Sequence, residues 1–375
     1  MAFSFDPKLI DTKISKAYLK EYVGESPLSP FMGSSPNRVI QLFEMDSGEG
    51  LSFRIGFRKD LNYQNPIIGF DQAAGSEQPI QFFEDEIKVK LRRFVDILMG
   101  VPLVKLATPI AIFETLRPAL LTTQRRNLVK SIFDAACAPS NTPNDPGLYN
   151  AADGGTGPLV DRVIYAAANG GGAASYQASI FAGVGGMGAA TPAASGMSVM
   201  HIRNLKSYAV NGGIAYERES RIMPYESKAK KSFPEEHYVL FIDPNSYRSL
   251  AADPLWNQLM YRGVIQNADQ PEALSGARYR GMIEGVLVYE CPELARYRVV
   301  SGGVTAAWNL FVGAQAFGIC WAKHPWFEME SRDFNMNVAM AVSEMRGQKV
   351  FMFPSFQDPA ALVERGMIHS FTRLT

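Results

Sequence analysis

Of 375 residues, only three are cysteine and four are histidine. Cys137, Cys291 and Cys320 stand far apart with no CxxC spacing, which excludes a disulfide framework and a cysteine-based zinc centre. They read as small buried hydrophobes of a reducing compartment. His201, His237, His324 and His369 lie beyond helical reach of one another, and no HExxH motif is present, so paired-histidine metal chemistry is not indicated. Net charge is also missing, because 37 Lys+Arg balance 37 Asp+Glu. A main affinity for phosphate backbone needs clustered excess Lys/Arg, so nucleic-acid gripping is disfavoured. Neutrality also leaves little self-repulsion to oppose association. The most apolar stretch, 306–322, is too short to span a bilayer and contains Asn309 and Gln315. The opening MAFSFDPKLIDTK lacks the basic-then-apolar order of a signal peptide. Neither a GxSxG nucleophile elbow nor a GxxxxGK(S/T) phosphate loop occurs.

What is present is core-forming material. Hydrophobic residues make up 47% and charged residues 20%, a composition that excludes a disordered chain and allows one large domain or two to three modest ones.

Residues 1–37 hold Pro7, Pro27, Pro30 and Pro36 and read as an arm, with Ser26–Asn37 as loop. Arg38–Glu44 is an apolar-rich strand, followed by turn residues over Asp46–Gly50. In Leu51–Arg58 the apolar Leu51, Phe53, Ile55 and Phe57 alternate with Ser52, Arg54, Gly56 and Arg58, a half-buried strand. The alternation returns over Ile87–Arg92, where Lys88, Lys90 and Arg92 take the polar face. The two strands imply a long antiparallel excursion with an irregular tip, apolar on one face and basic on the other. An isolated two-stranded arm is marginal in water, so this one must lie on its own body or on another chain.

Thr108-Pro109 opens a long amphipathic helix. Its apolar face carries Leu121, Leu128, Val129, Ile132, Phe133 and Ala136; Pro118 breaks or kinks it and Pro139 ends it. Pro139–Met200 has four charged residues and 25 Gly or Ala, and reads as an ordered surface insertion packed against something.

The remainder reads as α/β. Val199–Val210 is helical, and Tyr238–Ile242 (YVLFI) is a buried strand. Asp243-Pro244 and Asp253-Pro254 start two helices. Met282–Glu290 is a strand, and so is Asn309–Trp321, with interruptions at Gly313 and Gly318. Met336–Glu344 and Lys349–Phe353 are expected to pair around an Arg346-Gly347-Gln348 turn.

Few motifs carry chemistry. Gly183–Gly188 fits GxGxxG, but Pro192 and Gly196 follow where the dinucleotide fingerprint needs a helix, so a flexible loop is the favoured reading. Glu235-Glu236-His237 reads as a solvated turn rather than a metal site. Glu84/Glu86 and Glu328/Glu330 each place two carboxylates on one strand face, an arrangement more common at solvated surfaces than in two-carboxylate enzymes. The basic set Arg54, Arg58, Lys88, Lys90 and Arg92 is either a solvated strand face or a contact to an acidic surface of a neighbouring chain.

The order of arm, β-excursion, long helix, insertion, α/β body and closing strands resembles the major capsid proteins of tailed phages with the HK97-like fold, and in particular the N4-like major capsid family. The segments that carry the resemblance are VIQLFEMDSGEGLSFRIGFRKDL at 39–61, YVLFIDPNSYRSLAADPLWNQ at 238–258, GMIEGVLVYECPEL at 281–294 and LFVGAQAFGICWAKHPWFEMESRDFNMNVAMAVSEMRGQKVFMF at 310–353. The insertion at 139–200 departs from it. The resemblance implies an α+β chain divided into an N-terminal arm (1–37), a β-region with the extended loop (38–95, the loop itself over 46–95), a peripheral domain with the spine helix (96–138), the insertion (139–200), an axial α/β domain (201–305), and return strands with a tail (306–375). It implies a coat protein forming hexamers and pentamers of an icosahedral head around dsDNA, with no active site, cofactor or metal. It further implies a scaffolding protein, a portal and decoration proteins as partners, no membrane, assembly in the host cytoplasm and residence in the virion. An encapsulin-type shell is the neighbouring alternative, and a nucleotide-binding enzyme using 183–188 is the alternative of another class.

Overall fold

The computed structural model describes residues 18–45, 52–58, 82–98, 109–137, 163–166, 196–211, 221–227, 235–261, 278–301, 304–332, 337–354 and 362–374. In chain order these form helix α1 (18–24), strands β1 (Met32–Gly33), β2 (Ile40–Glu44), β3 (Ser52–Arg58), β4 (Phe82–Lys88) and β5 (Lys90–Leu98), and helix α2 (Pro109–Cys137). Then follow β6 (Val163–Tyr165), α3 (Val199–Asn211), β7 (Tyr225–Ser227), β8 (Glu235–Ile242), α4 (Pro244–Ala251), α5 (Pro254–Tyr261), β9 (Tyr279–Ile283) and β10 (Val286–Glu290). The chain closes with β11 (Val299–Ser301), β12 (Val304–Val312), β13 (Phe317–Arg332), β14 (Asn337–Val350), β15 (Met352–Pro354), β16 (Leu362–Glu364) and β17 (Met367–Arg373).

A five-stranded sheet runs in the order β1-β2-β13-β14-β5, and an eight-stranded one runs β6-β17-β12-β8-β10-β9 with β11 and β7 at its margins. The run YVLFI explains how the layers stack. Val239 and Phe241 point into a core shared with α2 and the five-stranded sheet, while Tyr238, Leu240 and Ile242 point into a second core closed by α3 and by Leu250 and Trp256. A strand buried on both faces shows no alternation. Along α2, Leu116, Leu120, Leu128, Ile132 and Phe133 are buried in the first core. Each such side chain stabilises the fold by about 1.5–3 kcal/mol.

The segment before Arg38 is folded onto the body from Tyr18 onward. Tyr18 and Tyr22 are fully buried, and the Tyr18 hydroxyl donates to Gln124 Oε1 at 2.7 Å. Glu21 pairs with Arg117 and Arg125 of α2. Phe31 meets Phe241 and Tyr289 edge-on, with centroids at 5.4 and 5.3 Å. The stretch read as loop over 26–37 therefore holds a 3-10 turn (Ser29–Phe31) and β1, which pairs parallel with β2.

Five further expectations are corrected. Of the break or kink expected at Pro118, the break is absent: α2 continues to Cys137, with Pro118 exposed within it. Glu235 begins β8, and His237 is buried in it rather than solvated in a turn. Residues 282–290 make a hairpin, because Glu284 and Gly285 both take positive φ (48° and 81°), as a tight two-residue turn requires. The run 309–321 turns at Gly313–Ala316 but passes unbroken through Gly318. No turn occurs at Arg346-Gly347-Gln348: β14 is continuous from Asn337 to Val350 and pairs antiparallel with β13. Of the stretch 139–200, the described parts are 163–166, where β6 adds to β17, and 196–200, where Met197 and Val199 enter the second core.

Candidate subunit interface

β3 and β4 pair antiparallel from Ser52↔Lys88 to Arg58↔Phe82. An antiparallel excursion is therefore present, but its second strand is not Ile87–Arg92: residues 82–86, expected in the irregular segment, are strand, and Lys90–Arg92 belong to β5 of the five-stranded sheet. Residues 59–81 lie outside the described residues. The apolar side behaves as the pattern requires. Ile55, Ile87 and Val89 join Met45, Cys320 and Phe351 in a third, smaller core, with Phe43 and Phe53 packed against it. The opposite side is not uniformly basic. Arg54 stands opposite Glu86 and 4.0 Å from Glu84, both members of that ion pair being mostly exposed, and Lys88 is exposed at the strand end. A pair so solvated contributes about 0–1 kcal/mol.

The alternation also changes meaning at Val89, which is buried between β4 and β5. Beyond it Arg92 turns under α2 instead of outward: Nη1 donates to Asn127 Oδ1 at 3.2 Å and Nη2 to Gln348 Oε1 at 3.0 Å. Lys90 is half-buried opposite Arg346. Of the five basic candidates, Arg54 and Lys88 therefore share the outer face of the hairpin, Lys90 and Arg92 do not, and the side chain of Arg58 is outside the described set.

The outward row of β5 is Leu91, Arg93, Val95 and Ile97, and its three apolar members are 61%, 56% and 41% exposed. The chain pattern did not single them out, because Leu91 continues the apolar phase of Ile87 and Val89. β5 is the edge of its sheet. Beside the row, β14 presents small residues: Ile97, Val95 and Arg93 stand opposite Ala339, Ala341 and Ser343. Beyond them β13 contributes Trp326 and Glu328. Arg93 spans this floor, donating from Nε to Ser343 Oγ at 3.3 Å and pairing with Glu328. Trp326 Nε1 donates to Glu328 Oε1 at 3.0 Å, and Lys323 Nζ stands 3.9 Å from the Trp326 ring centre. The hydrogen bonds from Trp326 and Arg93 hold the Glu328 carboxyl below the usual carboxylate range. Among the described strands this row lies along a sheet edge, and an exposed apolar row there is suited to association.

The residues weighed for metal or catalytic chemistry sit elsewhere. His201 is buried with Nε2 2.8 Å from Ser370 Oγ, and burial lowers its pKa to about 4. His369 Nδ1 accepts from Trp308 Nε1 at 3.0 Å. The three cysteines are buried. Among the described residues no three metal-binding side chains converge. Gly183–Gly188 is outside them.

A model of the phage capsid protein family matches residues 6–358. The chain belongs to the phage capsid protein family. The backbone of this capsid protein is similar to the capsid of Ralstonia phage GP4, with TM-score 0.67 and 19% identity over 92% of this chain and 90% of that one. It is similar also to the cyanophage Pam1 capsid (0.62; 18%; 94% and 93%) and to the capsid of Helicobacter pylori bacteriophage KHP30 (0.64; 14%; 93% and 91%). These likenesses show the fold, which is α+β and HK97-like. No curated protein matches the sequence significantly. The capsid protein carries its hairpin base and its exposed apolar row on one face of the five-stranded sheet, the face away from α2.

Proposed function

We propose that copies of this chain assemble as hexamers and pentamers into the icosahedral head of a tailed phage and enclose its dsDNA. The chain acts as the major capsid protein of a phage head. The finer reading is supported by one observation above all: a single subunit carries both a two-stranded hairpin, β3–β4, and an exposed apolar row on an adjacent sheet edge. Two such surfaces let each copy touch several others. Many modest contacts then sum to a stable shell.

In this reading 1–37 is the N-terminal arm, 46–95 the loop laid over the next subunit, and 109–138 the spine helix of a peripheral domain spanning 96–138. Residues 201–305 form the axial domain and 306–375 the return strands with the tail, while 139–200 is specific to this lattice. Arg54, Arg58 and Lys88 are the basic contact candidates, setting register at a rim more than adding affinity. The finer kinship is with the N4-like group. The work of the chain is association rather than catalysis. It would be assembled in the host cytoplasm with a separate scaffolding protein, and built into the virion beside portal and decoration proteins. Balanced charge suits a wall that encloses DNA without gripping it.

The test is the content of the particle. Shells recovered from infected cells should contain this chain as the most abundant protein, together with packaged dsDNA. Shells holding a cargo enzyme and no genome would establish the encapsulin-type compartment instead.

A further inference from the structure

The β4–β5 bend crosses the five-stranded sheet where two glycines face it. Gly318 of β13 and Gly347 of β14 lie one step apart on the face away from α2, in the register Gly318↔Lys349 and Cys320↔Gly347. A Cβ on Gly347 would stand 2.5 Å from the Lys88 carbonyl oxygen and 2.8 Å from Ile87 Cγ2. A Cβ on Gly318 would stand 2.3 Å from the Phe351 ring and 2.9 Å from Ile87 Cδ1. Neither glycine is needed for its own backbone conformation, since positive φ among the described glycines is confined to Gly281 and Gly285. They are needed for space, as glycine is where one backbone approaches another closely.

A polar clamp sits beside this saddle. Asp85 of β4 is buried, pairs with Lys349 and accepts the Met352 amide on Oδ2 at 3.1 Å. Its Oδ1 also accepts the Glu86 amide at 2.8 Å. Ile55 of β3 completes the apolar seat with Ile87, Cys320 and Phe351.

We infer that Gly318, Gly347 and Asp85 are positioning residues for assembly: together they seat the base of the β3–β4 hairpin on its own sheet and fix the direction in which the hairpin leaves the body before any neighbour is present. The inference rests on the reading of the hairpin as the part that reaches another subunit. It adds that the direction of reach is set within the free subunit rather than by docking. The seat is closed on both sides: an apolar cluster holds β3 and β4 down, and the Asp85 clamp stops them sliding along β14. Removing the space under Lys88 lifts a backbone carbonyl, which no side-chain rotation can relieve. Removing the space under Phe351 displaces a ring, which a smaller side chain can relieve.

The experiment is hydrogen exchange read by mass spectrometry on the full chain kept below its assembly concentration, with particle morphology read separately by electron microscopy. In the wild-type subunit, amides of 52–58 and 82–88 should be protected. Gly347→Ala should raise exchange in those two strands by roughly tenfold or more while α2 and β8 keep wild-type protection, the signature of local release rather than global destabilisation. The same variant should give no regular particles. Gly318→Ala should behave likewise, and Gly318→Ala with Phe351→Leu should recover both protection and particles. Wild-type strands that exchange as fast as those of Gly347→Ala would overturn the inference, as would a Gly347→Ala chain with wild-type protection and normal particles. Exchange is read on free subunits, so its outcome is independent of whether the chain builds a phage head.

Discussion

The side chains of Glu344 and Arg346 lie 3.4 Å apart with neither exposed to solvent. They are two residues apart on β14 and so share the face turned toward α2. Tyr22 of the N-terminal segment donates to Glu344 Oε1 at 3.5 Å, and Arg346 Nη2 donates to Asn127 Oδ1 of α2 at 3.1 Å. Burial pushes the Tyr22 hydroxyl far above its ordinary pKa, so it remains a donor. The pair therefore ties three separate stretches of chain together. Breaking it leaves a buried charge without its partner. Arg346→Ala should cost about 3–5 kcal/mol in chemical unfolding of the unassembled subunit, whereas replacing both residues by Leu and Met should cost much less.

His201 makes stability depend on pH. Its folded pKa, about 4, lies below the ordinary imidazole value of 6.5 because burial disfavours the charged form. Between those values the unfolded chain binds a proton that the folded chain does not. Stability thus falls as pH drops from about 6.5 to about 4, by on the order of 3 kcal/mol from this residue, and no further below. His201→Gln should show a shallower decline over that window in melting experiments at stepped pH. Parallel curves for the two proteins would contradict the assignment.

Much of this architecture could be read from residue patterns, and the exceptions have physical causes. The alternation of Phe53 and Ile55 with Arg54 foretold β3, the run YVLFI foretold a buried strand, and Asp243 does cap α4, accepting the Asn245 amide at 2.7 Å. Arg346-Gly347-Gln348 misled because polar residues around glycine normally mark a turn. Here the arginine is buried beside Glu344, and the glycine makes room for the Lys88 carbonyl. Arg92 misled because its partners, Asn127 and Gln348, are brought near only by the fold. The exposed row on β5 escaped notice because burial changes phase at Val89, and a change of phase leaves no mark in residue type.

The row itself is open to test. Val95 is mostly exposed, so Val95→Lys should alter subunit stability by no more than about 0.5 kcal/mol. The same substitution places a charge in a surface proposed to be covered by a neighbour, and should lower the yield of particles. Circular dichroism and particle counting together read both effects.

Deleting Asn62–Gln81 should leave a folded body that cannot form stable shells. The three cores described above are formed by residues on either side of this stretch, and thermal unfolding should remain cooperative. Normal particles from this deletion would remove the role proposed for the loop.

Sedimentation velocity on the purified full chain, alone and co-expressed with its scaffolding protein, followed by negative-stain microscopy of every fast boundary, tests the central claim most directly. The predicted result is closed shells or five- and six-fold capsomers under at least one of the two conditions. A single monomer boundary under both would contradict it.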